Sequence, residues 1–447
     1  MGQNNGHQSR SPNDAKLEKQ YKEELKNLID DGDGTAAKHW LKDICRKVRN
    51  PKERWNVLGY AIRTVEGWGR YRIMLEISVK QIEIAQAIKT KCIQSDFMGG
   101  ESLVSINTTL ADSYLNLARA NLWLSEFSKS VDYCLKSLTF IAKCRGANSE
   151  VTLRITGEIH LCRGSAQLRL GNHRKALEDL ERSLSLASSQ QNTDLECMSC
   201  CALGRFYVNL KDYEKATFFP LKAAEILDEK DSPRNRTFIQ LHLGEAYRKV
   251  GKLEEAMSCS EEALKFAIES GDRGSQAYCL LCFADIHRTR KDPERALPRY
   301  ESAGSMMREI GDRYGEVKVL VGKAKVHIKT KNYGTAIQLY DDALKLSQEI
   351  KANMESMSIY GELAVAQQRL NNLQEARDCT IKYHKLLEEM ELYCGACDKP
   401  IAEKHEQLEA LPCSHIFHLK CVSEMGLVNT RACPNCRKNM TKPNFNK

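Results

Sequence analysis

The sequence predicts an all-α protein, a long solenoid of paired helices with a small metal-stabilised domain at its C-terminal end. Three observations carry that expectation: a strict 40-residue period in small residues, a cysteine and histidine cluster confined to the C-terminal end, and a composition that favours folding. The 447 residues are 42% hydrophobic and 28% charged, with 10 Pro and 26 Gly. Such a chain is neither collagenous nor broadly disordered. No run of 18 uncharged apolar residues occurs, and the first twenty residues lack the apolar core of a secretory signal. The expectation is a cytosolic protein, or one attached to a membrane from the cytosolic side. The net charge of +8 arises from 67 basic and 59 acidic residues. The two signs interleave without a basic block, so no nucleic-acid partner is expected.

The period is set by Ala176, Ala216, Ala256, Ala296, Ala336 and Ala376, each 40 residues from the next. Twelve positions before each lies another small residue: Gly164, Gly204, Gly244, Ala284, Ala324 and Ala364. Small residues at both points let two antiparallel helices approach closely, so each unit is a helical hairpin. The unit resembles the tetratricopeptide repeat, with Tyr207 and Tyr247 at its aromatic position and Ala223, Ala263, Ala303 and Ala343 at its last alanine. His287, His327 and Gln367 depart from the aromatic. The usual unit is about 34 residues, so the extra six lengthen the two arms by about 9 Å in all. Weaker copies place Ser130, Met74 and Ala36 at the same position, giving an array of nine hairpins with loops expected around 95–109 and 144–150. Stacked hairpins form a superhelix with a concave surface that suits an extended partner.

The segment 344–390 admits a terminal hairpin or a coiled coil. Ala376 keeps the repeat phase and Asn371-Asn372 interrupts the heptads, which favours the hairpin. Its unpartnered apolar face is a docking candidate.

From Cys394 the pattern is Cys394-x2-Cys397-x15-Cys413-x-His415-x2-His418-x2-Cys421-x11-Cys433-x2-Cys436. Eight thiol and imidazole ligands make two four-coordinate zinc sites with no open position, and hence structural metals. So small a segment depends on its metals for most of its stability. The spacing resembles a RING finger of the H2 subtype. That resemblance assigns Cys394, Cys397, His418 and Cys421 to one zinc, and Cys413, His415, Cys433 and Cys436 to the other. It also implies a ubiquitin ligase, with Pro434 and Arg437 at family positions and Arg437 as the linchpin that contacts ubiquitin. Only Gly395-Ala396 separates the first pair, however, and no tryptophan lies between Cys421 and Cys433. A protein-binding module is therefore favoured over a ligase, and no catalytic residue is assigned within the repeats. The pairs Cys197-x2-Cys200-Cys201 and Cys279-x2-Cys282, and His173, His287 and His327, sit at packing positions of repeat helices and need no chemical role.

The chain begins Met1-Gly2-Gln3-Asn4-Asn5-Gly6. Gly2 is a candidate for N-myristoylation, although Gly6 replaces the usual Ser or Thr. One acyl chain holds a membrane only marginally. The expected division is an acylatable tail over 1–15, the array over 16–390 and the zinc finger over 391–447.

An acylatable glycine, a long repeat array and a C-terminal RING-H2 in this order resemble the rapsyn family of receptor-associated synaptic proteins. The likeness rests on CLLCFADIHR (279–288), KDYEKATFFPLKAAE (211–225), ELYCGAC (391–397), LEALPCSHIFHLKC (408–421) and CPNCRK (433–438). It implies a peripheral scaffold on the cytoplasmic face of the postsynaptic membrane that clusters nicotinic acetylcholine receptors. The family resemblance further implies self-association through the repeats, binding of receptor cytoplasmic loops by the helical segment before the RING, and links to the dystroglycan complex and the actin/spectrin cytoskeleton. A ligase acting on receptor or synaptic substrates is the competing reading.

Overall fold

Seventeen residues of helix and three of turn, taken twice, make the 40-residue period. The computed structural model describes residues 24–25, 34–94, 100–144, 149–227, 233–427 and 432–438. Its helices are α1 (Gly34–Lys47), α2 (Pro51–Gly67), α3 (Tyr71–Gln94), α4 (Gly100–Trp123), α5 (Phe127–Ala142), α6 (Glu150–Leu170), α7 (His173–Ser189), α8 (Thr193–Asn209) and α9 (Tyr213–Ile226). They continue as α10 (Pro233–Val250), α11 (Leu253–Glu269), α12 (Arg273–Thr289), α13 (Pro293–Ile310), α14 (Arg313–Lys329), α15 (Tyr333–Glu349), α16 (Asn353–Arg369) and α17 (Leu373–Glu389). Among the described residues, eight complete hairpins from α2/α3 to α16/α17 follow α1. Ala36 lies in α1, Met74 in α3 and Ser130 in α5, so the copies at Met74 and Ser130 fall on the second helix of a unit.

The turns are as regular as the helices. A left-handed residue recurs at Gly171, Gln191, Lys211, Gly251, Gly271, Lys291, Gly311, Lys331, Lys351, Asn371 and Glu391, twenty positions apart except across 231, which lies outside the described residues. The next amide donates back to a carbonyl of the finished helix, as from Asn192 to Ala187 at 3.0 Å and Asp312 to Met307 at 2.9 Å. This is a Schellman-type ending. The same residue often starts the following helix: the side chains of Asn192, Asp212, Asp272, Asp312 and Asn332 accept from the amide three positions on. One residue therefore closes a helix and caps the next. A lysine in the left-handed region costs roughly 1 kcal/mol, which these flanking bonds offset.

Within each hairpin the helices meet at the small residues. Ala176, Ala216, Ala256, Ala296 and Ala336 are fully buried. A methyl added at Gly204 would lie 2.7 Å from Cγ of Pro220 and 3.3 Å from the Ala216 carbonyl, so the bare glycine is what admits the partner helix. Ala376 is only half-buried, because no further hairpin covers α17.

The expected loop over 95–109 is corrected from Gly100 onward; 95–99 lie outside the described residues. Helices α3 and α4 are each 24 residues long, and most of the extra length between the units is helix. Ile106 and Leu110 explain this, since they bury against Ala85, Trp55 and Ile88 and reward continued helix over a loop. Of the second expected loop, 145–148 lie outside the described residues, and Ser149 caps α6 by accepting from the Thr152 amide at 3.2 Å.

Successive units climb by one helical turn, so residues about 36 apart share a level. Arg205 of α8 and His242 of α10, 37 residues apart, meet across that step at 3.1 Å, while surface ion pairs tie adjacent antiparallel helices, Arg273 to Glu309 at 2.6 Å and Arg290 to Glu254 at 2.7 Å. The superhelix returns on itself: α16 packs beside α6, and Ser125 bonds to Asp312 and to the Tyr314 amide at 3.3 and 2.9 Å. At the N-terminal end the closure is ionic. Glu66, 2% exposed, accepts from Trp123 Nε1 at 2.9 Å, pairs with Arg119, and lies 3.3 Å from Arg234 of α10. Burial alone would raise its pKa, but the two guanidiniums hold it at about 2.

Two outcomes are expected. Ala256→Leu overpacks one hairpin and lowers unfolding free energy by about 1 to 3 kcal/mol, read by denaturant titration followed by circular dichroism. The Glu66 clasp stabilises the fold above the ordinary carboxylate pKa near 4.5, and that contribution fades as pH falls toward about 2. Glu66→Gln should cost about 3 kcal/mol at neutral pH and flatten the acid limb of stability against pH.

Candidate metal centre

The C-terminal module is built on two matching turns. At the first, the Cys397 and Asp398 amides donate to the Cys394 carbonyl at 3.2 and 2.8 Å, and Asp398 is left-handed at φ 53°. At the second, the Arg437 amide donates to the Cys433 carbonyl at 2.8 Å, and Arg437 is left-handed at φ 58°. Each turn aims two thiols at one point. Between them, antiparallel strands β1 (Leu408–Ala410) and β2 (Ile416–His418) pair Leu408 with His418. The short helix α18 (Leu419–Leu427) then follows and carries Cys421.

This topology brings Cys394, Cys397, His418 and Cys421 together, and separately Cys413, His415, Cys433 and Cys436; within each set the donor atoms lie within 4.8 Å of one another. Among the described residues no other group of three or more such side chains converges in this way. The geometry fits a tetrahedral metal. Bond lengths for thiolate and imidazole zinc imply N···S separations of about 3.5 Å. His418 Nδ1 is 3.4 Å from Cys397 Sγ and 3.9 Å from Cys421 Sγ, and His415 Nδ1 is 3.3 Å from Cys413 Sγ. The other ring nitrogen of His418 lies 2.8 Å from a carboxylate oxygen of Glu406, the outer partner that orients a metal-bound imidazole. The sequence pattern did not single out Glu406, which lies in the long spacer between the first and second ligand pairs.

The module does not hang free. The turn before α9 grips it: Lys211 Nζ donates to the Glu403 carbonyl at 2.7 Å, His405 Nδ1 meets the Lys211 carbonyl at 2.8 Å, and Asp212 accepts from the Leu408 amide at 3.1 Å. Lys215 donates to the Leu408 carbonyl and reaches Glu409 at 3.0 Å, while Tyr213 stacks on His405 at 4.9 Å. Leu392, Ile401, Leu408 and Phe417 share one apolar core with Leu177, Leu180 and Phe206 of the array. Gly171 makes room for this, since a methyl there would collide with Met390. The opposite side of the module, with Ala396, Pro434 and Arg437, is exposed. Gly2 and Gly6 lie outside the described residues.

Of the repeat residues singled out by spacing, Cys197, Cys200, Cys201, Cys279, His173 and His287 are buried in the packing of the array. Burial pushes the Cys200 thiol up to about 11 and Cys282 up to about 12. Burial likewise holds His173 down at about 4, where its ring packs edge-on against Phe206.

A closed array of helical hairpins carrying a RING-type metal module defines a helical-repeat protein with a C-terminal ring finger domain. The chain belongs to the rapsyn family. It is 45% identical over 413 residues to the 43 kDa receptor-associated protein of the synapse of Gallus gallus, covering 92% of this chain and 94% of that one. The counterpart from Tetronarce californica is 38% identical over 416 residues, with the same coverage. Family profiles match for the rapsyn N-terminal myristoylation and linker region over 14–91, the soluble NSF attachment protein over 166–383 and the ring finger domain over 392–437. Among solved structures, the Rap conjugation gene regulator of plasmid pLS20 in complex with the Phr* peptide superposes with TM-score 0.53 at 13% identity, over 74% of this chain and 96% of that one. NprR in complex with its cognate peptide NprX gives 0.52 at 14% identity, over 72% and 88%. Both likenesses concern the fold. No described helix is long and apolar enough to cross a membrane.

Stripping the metal with a chelator, or replacing Cys413 by Ser, should collapse the C-terminal module while most of the helical signal of the array persists. Metal analysis of the intact protein should return about two zinc ions per chain, and a folded module without metal would contradict the assignment.

Proposed function

We propose that the chain is a postsynaptic peripheral-membrane scaffold that clusters nicotinic acetylcholine receptors by holding several partners at once. The observation that carries this reading is the uncovered apolar groove at the end of the array. In every earlier unit the next hairpin packs onto this face, but after α17 the chain turns at Glu391 into the metal module. Val365, Leu373 and Ile381 are left 50%, 60% and 61% exposed, and Ala364, Leu373, Ala376, Thr380 and Tyr383 line a groove between α16 and α17. An amphipathic helix from a receptor cytoplasmic loop suits that surface. In this reading Gly2 carries a myristoyl chain that places the scaffold on the cytoplasmic face of the plasma membrane. Two structural zinc ions hold the module, the repeats self-associate, and the module links to the dystroglycan complex and the actin/spectrin cytoskeleton. Each membrane-bound contact is weak alone, and their combination supplies avidity.

The alternative, a RING-type ubiquitin ligase, is favoured by one observation: docking uses 403–409 and leaves Ala396, Pro434 and Arg437 open to a conjugating enzyme.

Coexpression with a nicotinic receptor in a non-muscle cell tests the scaffold reading, with receptor patches as the expected outcome. The double variant Leu373→Lys, Ile381→Lys alters only exposed side chains, so it should fold normally and lose the patches. Arg437→Ala should keep them, and its failure to cluster receptors would support the ligase reading. Gly2→Ala should release the protein from membranes.

A further inference from the structure

The first helices of six units, α6, α8, α10, α12, α14 and α16, encircle the axis of the superhelix, and one level of that ring is unusual in charge. Arg169, Arg205, His242, Tyr278 and Tyr314 follow one another at the 36- or 37-residue step that defines a level. Arg169 is 8% exposed, lies flat on the Tyr314 ring at 3.8 Å, and its Nη1 has no hydrogen-bond partner. Arg205 meets only the neutral nitrogen of His242, at 3.1 Å. Burial, then Arg205, keep that imidazole uncharged.

The acids nearby are committed elsewhere. Glu355 takes the Tyr314 hydroxyl. Asp312 takes the Tyr278 hydroxyl at 2.7 Å, Ser125 at 3.3 Å and the Gly315 amide at 2.9 Å. Glu245 reaches across the ring to Lys318 at 3.4 Å. Among the described residues neither Arg169 nor Arg205 has a carboxylate oxygen within 4.0 Å. Glu355 and Asp312 act on Arg169, and Glu245 on Arg205, through space only; a guanidinium N–H left without an oxygen acceptor is costly, and a counter-ion reaching both arginines would supply one. Their several N–H donors suit the separate oxygens of an oxyanion better than a monatomic ion.

We propose that the lumen between Arg169 and Arg205 binds a small inorganic oxyanion of phosphate size. Solvent reaches it past Arg205, Glu245 and Lys318, which are partly exposed. The enclosure of Arg169 under Tyr314 restricts the occupant to a small group. The site is separate from the metal module and from the groove at the end of the array.

The test uses full-length, metal-loaded protein in a chloride buffer at constant ionic strength, titrated with inorganic phosphate and read by thermal unfolding and calorimetry. Wild type should bind one phosphate per chain and melt at rising temperature as phosphate increases. Arg169→Gln and Arg205→Gln should each lose most of that rise. Arg205 is only half-buried, so its variant serves if the first fails to fold. General salting by phosphate acts on all variants alike. An equal rise in wild type and Arg205→Gln, or no binding heat in wild type, would overturn the proposal.

Discussion

The fold depends on a turn of three residues that can do two jobs. A left-handed residue ends one helix, and the residue after it closes the Schellman bond and, in many units, caps the next helix. Because this happens every twenty residues, helix length is fixed and the small residues of neighbouring helices arrive opposite one another. The hairpins then stack with a constant climb, which is why residues 36 apart share a level. The superhelix closes because that climb brings α16 beside α6.

Much of this was legible in the sequence, since alanine spacing is a packing signal and packing follows directly from side-chain volume. The eight metal ligands were legible for a similar reason: spacing of thiols and imidazoles has few physical meanings. The helical stretch from Gly100 looks like a loop in sequence because Gly99-Gly100 and the polar residues after it resemble a turn, whereas Ile106 and Leu110 are buried by residues distant in sequence. The contacts that close the superhelix were also out of reach. Glu66 and Arg234 lie 168 positions apart, and nothing local marks either as buried. The same holds for Asp212, whose side chain caps α9 and also receives the Leu408 amide.

Charge inside the array follows the same logic as apolar packing, with different penalties. The buried Glu66 pairs with Arg119 and Arg234, and the partly buried Asp285 with Arg248 and Arg288, so each of these guanidiniums has a carboxylate in contact. Arg169 and Arg205 break the pattern.

In the proposed scaffold, the docked metal module changes what multivalent binding means. A zinc finger on a flexible tether would add a second grip at a variable distance. Here Tyr383, which lines the groove at the end of the array, reaches Glu403 of the module at 3.4 Å, and His384 of the same groove lies 3.5 Å from the Tyr393 hydroxyl. Groove and module therefore form neighbouring parts of one rigid surface. A helix seated in the groove lies close to the module, so the two grips have a fixed relative geometry and neither spends freedom in finding the other. Loss of the metals would then weaken the groove from its edge, even though no ligand belongs to it.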